Sequence, residues 1–138
     1  MASTNMTPTS TGRGAEPLFR QVIQPSHVQG SFVADDTDNH DFRADGRGKG
    51  RMTVAVDNPA NKNLVITVYG THSLTGDIGD GATKQIGSWT VTAANGANDG
   101  YETVNDPFPF YIVRAAYAVA PDDAPLKTTT IYVNFQSV

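Results

Sequence analysis

The chain is 138 residues long and 38% hydrophobic, with no cysteine and a formal charge of −4 at neutral pH. This length holds one domain with a core of its own, and the missing cysteine excludes disulfides, thiol nucleophiles and thiolate metal sites. The negative balance makes nucleic acid an unexpected partner, and no apolar run approaches the roughly 18 residues that would suggest a membrane span.

Residues 1–17 read MASTNMTPTSTGRGAEP. They hold no basic start followed by an apolar stretch, so no secretory leader is expected, and the expected address is a cytoplasm or a particle assembled there. The side chains are small and polar, and Met6 is the one that offers a large apolar contact. Such a segment cannot offset about 1–2 kcal/mol per residue of backbone ordering by burial. It is either a loose tail or an extended arm tied down by a partner. The arm is the expectation, with Met6 and Arg13 at the contact, and the folded domain then runs from 18 to 138.

Phe19 to Ile23 and Val28 to Val33 are short strand candidates separated by Pro25. Residues 34–50, ADDTDNHDFRADGRGKG, read as a long loop. Its first half is acidic (Asp35, Asp36, Asp38, Asp41), and its second half is basic and glycine-rich (Arg43, Arg47, Lys49, then Arg51). After it the alternation is regular. Residues 51–57 place Met52, Val54 and Val56 inward, and 63–69 place Leu64, Ile66 and Val68 inward. The turn DNPAN joins them. Residues 71–83 form a second polar loop. Residues 84–93 carry the single tryptophan, Trp89, in phase with Val91 and Ala93. Asn95-Gly96 and Asp99-Gly100 turn the chain into a short strand at 101–104.

Residues 107–120, PFPFYIVRAAYAVA, are the longest apolar run. Phe108, Phe110, Ile112, Ala116 and Ala118 fall on one face, and Tyr111, Val113, Tyr117 and Val119 on the other. Helix competes over Arg-Ala-Ala-Tyr-Ala, but the aromatic and β-branched start and Pro109 favour a strand. Apolar residues on both faces predict a central position in a sheet. The turn 121–125 leads into 127–138, with Ile131, Val133 and Phe135 inward and Thr130, Tyr132 and Asn134 outward. This last strand is expected beside the 107–120 strand. About eight strands, turns every ten or so residues and no convincing helix predict an all-β sandwich of jelly-roll type.

Four chemistries are conceivable for these residues. Asp36, Asp38, His40 and Asp41 offer closely spaced metal ligands but miss the EF-hand frame. A solvated loop pairing with its own basic half is favoured, and no metal or other cofactor is expected. Catalysis is not expected either. His27, His40 and His72 are the only histidines, Glu16 and Glu102 the only glutamates, and no nucleophile motif is present. Gly46 to Arg51 sets Arg47, Lys49 and Arg51 on a glycine backbone outside any P-loop frame, and suits an acidic protein surface. Trp89, Tyr101, Tyr111, Tyr117 and Tyr132 could stack on a glycan, against the plainer reading of core or interface packing. A carbohydrate-binding module is therefore the alternative function.

The segments TVAVDNPANKNLVITVYGTHS, IGSWTVTAANGANDGY, PFYIVRAAYAV and TTTIYVNFQSV together resemble the small cysteine-free β-sandwich proteins of tailed-phage particles, especially head decoration (cement) proteins. The likeness covers roughly residues 51–138 and rests on style rather than on a diagnostic motif. It implies a non-enzymatic virion structural protein that binds the major capsid protein and neighbouring copies of itself, often as a trimer. It identifies no binding residues. From the residues themselves, the arm and the mixed-charge loop are the expected contact surface, through Met6, Arg13, Arg43, Arg47, Lys49 and Arg51.

Overall fold

A computed structural model describes residues 3–5, 9–11, 27–45, 51–73, 78–94 and 102–136. Among these residues the chain forms ten strands and no helix. They are β1 (Ser3–Asn5), β2 (Thr9–Thr11), β3 (His27–Val33), β4 (Asn39–Asp45), β5 (Arg51–Asp57), β6 (Leu64–Thr71), β7 (Thr83–Val91), β8 (Glu102–Val104), β9 (Phe110–Tyr117) and β10 (Thr128–Gln136). One sheet has the order β1-β4-β9-β6-β7 and the other β2-β3-β10-β5-β8. From β3 onward the chain changes sheet at every connection except β6 to β7. Setting β1 and β2 aside leaves two antiparallel sheets of four strands, and this alternation makes them a jelly roll.

The core lies where the inner faces of the two sheets meet. The period-2 strands deliver it as expected. Met52, Val54 and Val56 of β5, Leu64, Ile66 and Val68 of β6, and Ile131, Val133 and Phe135 of β10 are all at most 1% exposed. Full burial of such side chains contributes about 1.5–3 kcal/mol each. On β9, Tyr111, Val113, Ala115 and Tyr117 face the same core. Ile112 points outward yet is only 4% exposed, because β9 is central and the register seats it between Arg43 of β4 and Tyr69 of β6. This accounts for the apolar character of both faces of the 107–120 run. Only 110–117 of that run is strand, and Ala118, Val119 and Ala120 emerge exposed.

Two expectations change. The loop assigned to 34–50 contains β4, which pairs with β9 from His40↔Ala115 to Asp45↔Phe110. Its inward residues are His40, Phe42 and Ala44, and the charges on Asp41 and Arg43 conceal the alternation in the sequence. The last strand does not lie beside the 107–120 strand. β10 sits in the other sheet, between β3 and β5. The connection at 118–127 is long enough to cross the sandwich instead of closing a hairpin. The strand expected at 19–23 lies outside the described residues.

The 1–17 arm is described at two places. Ser3–Asn5 run parallel to β4, and Thr9–Thr11 run antiparallel to β3. Each extends one sheet of its own chain by a short edge strand. A polar segment can be held this way because backbone pairing requires no apolar surface.

Candidate functional site

The expected contact residues divide as follows. Met6, Arg13, Arg47 and Lys49 lie outside the described residues. Arg43 is half-buried on β4, opposite Ile112 of β9. Arg51 is exposed at the start of β5 and pairs in register with Gln136 of β10. Arg43 and Arg51 therefore belong to opposite sheets.

The acidic run 35–41 splits in the same way. Asp36 Oδ1 accepts from the Asp38 backbone N–H at 3.2 Å and lies 2.9 Å from His40 Nε2. The His40 ring is turned inward, 5% exposed, and stacks on Phe32 with centroids 3.9 Å apart. Asp41 points to the opposite face. There Arg114 of β9 donates to both of its carboxylate oxygens, from Nε at 2.7 Å and from an Nη at 2.8 Å. This bidentate hydrogen bond is the main reason the Arg114 guanidinium is held above its already high ordinary value. Asp41 thus takes a partner from β9, outside the acidic run. Among the described residues no group of three or more His, Asp or Glu side chains is arranged to hold a metal ion.

The aromatic candidates separate by burial. Tyr111 and Tyr117 are core residues, each 0% exposed. The Tyr111 hydroxyl donates to the Asp106 carbonyl at 2.9 Å and accepts from the Phe108 N–H at 3.0 Å. Burial pushes the pKa values of both hydroxyls up. Tyr132 is 41% exposed on the outer face of its sheet, in register with Gln29 and Ala55. Tyr101 lies outside the described residues.

Trp89 is half-buried. It packs against the core and also lines a cleft with Ile86, Gly87, Ser88, Glu102, Thr103, Val104, Asn105 and Asp106. β7 and β8 are the end strands of their sheets on that side, and the cleft opens between them. The sequence singles out Trp89 but places none of the β8 residues beside it. That neighbourhood is set by the sheet order, which spacing along the chain does not encode.

At one end of the sandwich, two turns clasp each other. The Asn61 backbone N–H donates to Asp123 Oδ2 at 3.0 Å, and its side-chain amide donates to Asp122. The amide hydrogen bond, followed by the nearby Lys62 charge, holds the Asp122 carboxyl below its ordinary range.

No protein-family model matches the chain, and no curated protein matches it. Among solved structures it is similar to the K1 cleaved adhesin domain of Lys-gingipain from Porphyromonas gingivalis. That match has a TM-score of 0.56 and 14% identity over 98% of this chain and 85% of that one. It is also similar to the Yersinia pseudotuberculosis-derived mitogen, with a TM-score of 0.51 and 9% identity over 83% and 88% of the two chains. At such identities the likeness is one of fold alone.

Proposed function

We propose that this chain is a non-enzymatic structural protein of a virion, a decoration (cement) protein. In this reading it binds the major capsid protein and neighbouring copies of itself, and acts on a particle assembled in a host cytoplasm. The observation that supports it best is the seating of residues 3–11. β1 and β2 are short polar strands laid on the edges of β4 and β3. Edges that accept these strands can accept the same strands from another copy in the same register, because strand addition reads backbone groups. An arm that pairs with its own chain gains only modestly by moving to a neighbour, since the backbone bonds it forms there replace equivalent ones. Many copies on a lattice compensate for that modest gain through multivalency. Exposed Arg51, and the cations at Arg47 and Lys49, add salt-sensitive steering toward a partner's carboxylates.

Electron microscopy of material from the native source tests this reading. Particles carrying the chain at regular lattice positions are the expected result. A chain found only as a free monomer, with no particle in the preparation, contradicts it.

A further inference from the structure

We propose that the cleft between β7 and β8 is a binding subsite for a neutral oligosaccharide. Trp89 supplies the apolar platform, and Glu102 and Asp106 supply hydrogen-bond acceptors. The site stands apart from the particle reading, because it uses neither the arm nor a capsid partner.

The cleft measures about 380 Å³. Its apolar part comes from Trp89, Ile86 and Val104, and its polar rim from Ser88, Glu102, Asn105 and Asp106. Gly87 opens it. A Cβ built on Gly87 would stand 3.9 Å from Val104 Cγ2, so a larger side chain at this position would fill the gap between the sheets. Among the described residues the lining contains two carboxylates and no Lys, Arg or His, which disfavours an anionic ligand.

The choice between a cation and a polyol follows from the indole. Trp89 Nε1 is buried and has no hydrogen-bond partner. A buried donor without an acceptor is a standing cost. A quaternary or primary amine can meet the carboxylates but brings no acceptor for this N–H. A saccharide hydroxyl donates to a carboxylate and accepts from an N–H, and the C–H face of the ring lies on the indole. Because the N–H is shut off from solvent, an acceptor reaches it only as the indole tilts outward. Occupancy therefore changes the environment of the chain's single tryptophan.

The test uses the purified full chain on an immobilised array of neutral and acidic oligosaccharides. Hits are then titrated by tryptophan emission and by calorimetry. The expected result is a saturable emission change with a neutral oligosaccharide. Glu102→Gln and Asn105→Arg, both at exposed positions, should weaken it about tenfold or more. Trp89→Phe, with its circular-dichroism spectrum unchanged, should lose the calorimetric signal. Tyr132→Ala, on the outer face, should bind normally. Failure of every saccharide to bind overturns the proposal. So does saturable binding of choline in place of a saccharide, or affinity lost in Tyr132→Ala and kept in the cleft variants.

Discussion

The hydroxyl of Tyr117 donates a 2.6 Å hydrogen bond to Oδ1 of Asn58, and both side chains are wholly buried. The phenol proton is committed to Asn58, so Thr129, whose Oγ1 also stands 2.6 Å away, is the donor to Tyr117. The Asn58 amide donates in turn to the carbonyls of Lys62 at 3.0 Å and Thr92 at 3.1 Å. One buried knot thereby ties β9 to β10 across the sandwich and fixes the turn between β5 and β6. Tyr117→Phe leaves two polar atoms short of a partner and should cost about 1–3 kcal/mol. Asn58→Ala strips donors from two carbonyls as well and should cost more. Urea unfolding of both variants checks the order, and a more stable Asn58→Ala than Tyr117→Phe would show that the knot is not shared in this way.

The buried tyrosines set an alkaline limit. Burial holds the Tyr111 and Tyr117 hydroxyls above the ordinary tyrosine value of 10.0. The folded chain then keeps protons that the unfolded chain releases. Their contribution is complete below about pH 10 and is lost as pH rises through the higher folded values. The urea midpoint should fall above pH 10, and the tyrosinate absorbance of these two residues should appear only with unfolding. A Tyr111→Phe, Tyr117→Phe double variant, though less stable throughout, should show a shallower alkaline decline.

Phe108 lies across Gly70. A Cβ at Gly70 would come within 2.3 Å of the Phe108 ring. The ring is also held by the edge of Tyr111 and by His72, with centroids 6.4 Å and 5.3 Å away. Gly70→Ala should therefore displace Phe108 and destabilise the fold by about 1–3 kcal/mol. Pairing it with Phe108→Ala should recover part of that loss, and thermal melts of the two single variants and the pair measure it.

The Asp41–Arg114 pair is worth a double-mutant cycle. Its side chains are only 12% and 22% exposed, and the contact is bidentate. The coupling from Asp41→Ala and Arg114→Ala should reach about 1–3 kcal/mol, above the usual value for an exposed pair. Because the pair is partly buried, raising salt to 0.5 M should reduce the coupling only slightly.

The sequence made some of this legible. β5, β6 and β10 alternate cleanly because each buries one face only, and turn residues mark the bends on either side of them. β4 was hidden because its inward set begins with His40. That histidine counts as polar in any pattern, yet its ring stacks on Phe32 while Nε2 meets Asp36. The crossing from β9 to β10 was hidden because turn residues mark where a chain bends, and they do not say which sheet it enters next. The same limit applies to the cleft. Trp89 and Glu102 face one gap only because β7 and β8 are end strands of opposing sheets.

The most direct test of the decoration reading is co-sedimentation of the full chain and of a chain lacking residues 2–11 with undecorated capsid particles. The deletion removes β1 and β2, three-residue strands at the sheet edges. The truncated chain should keep its β-sheet spectrum and melt within a few degrees of the full chain. The full chain should pellet with the particles, and the truncated chain should bind about tenfold more weakly or worse. Equal pelleting of the two chains, or no pelleting of the full chain, would contradict a protein that holds its particle by this arm.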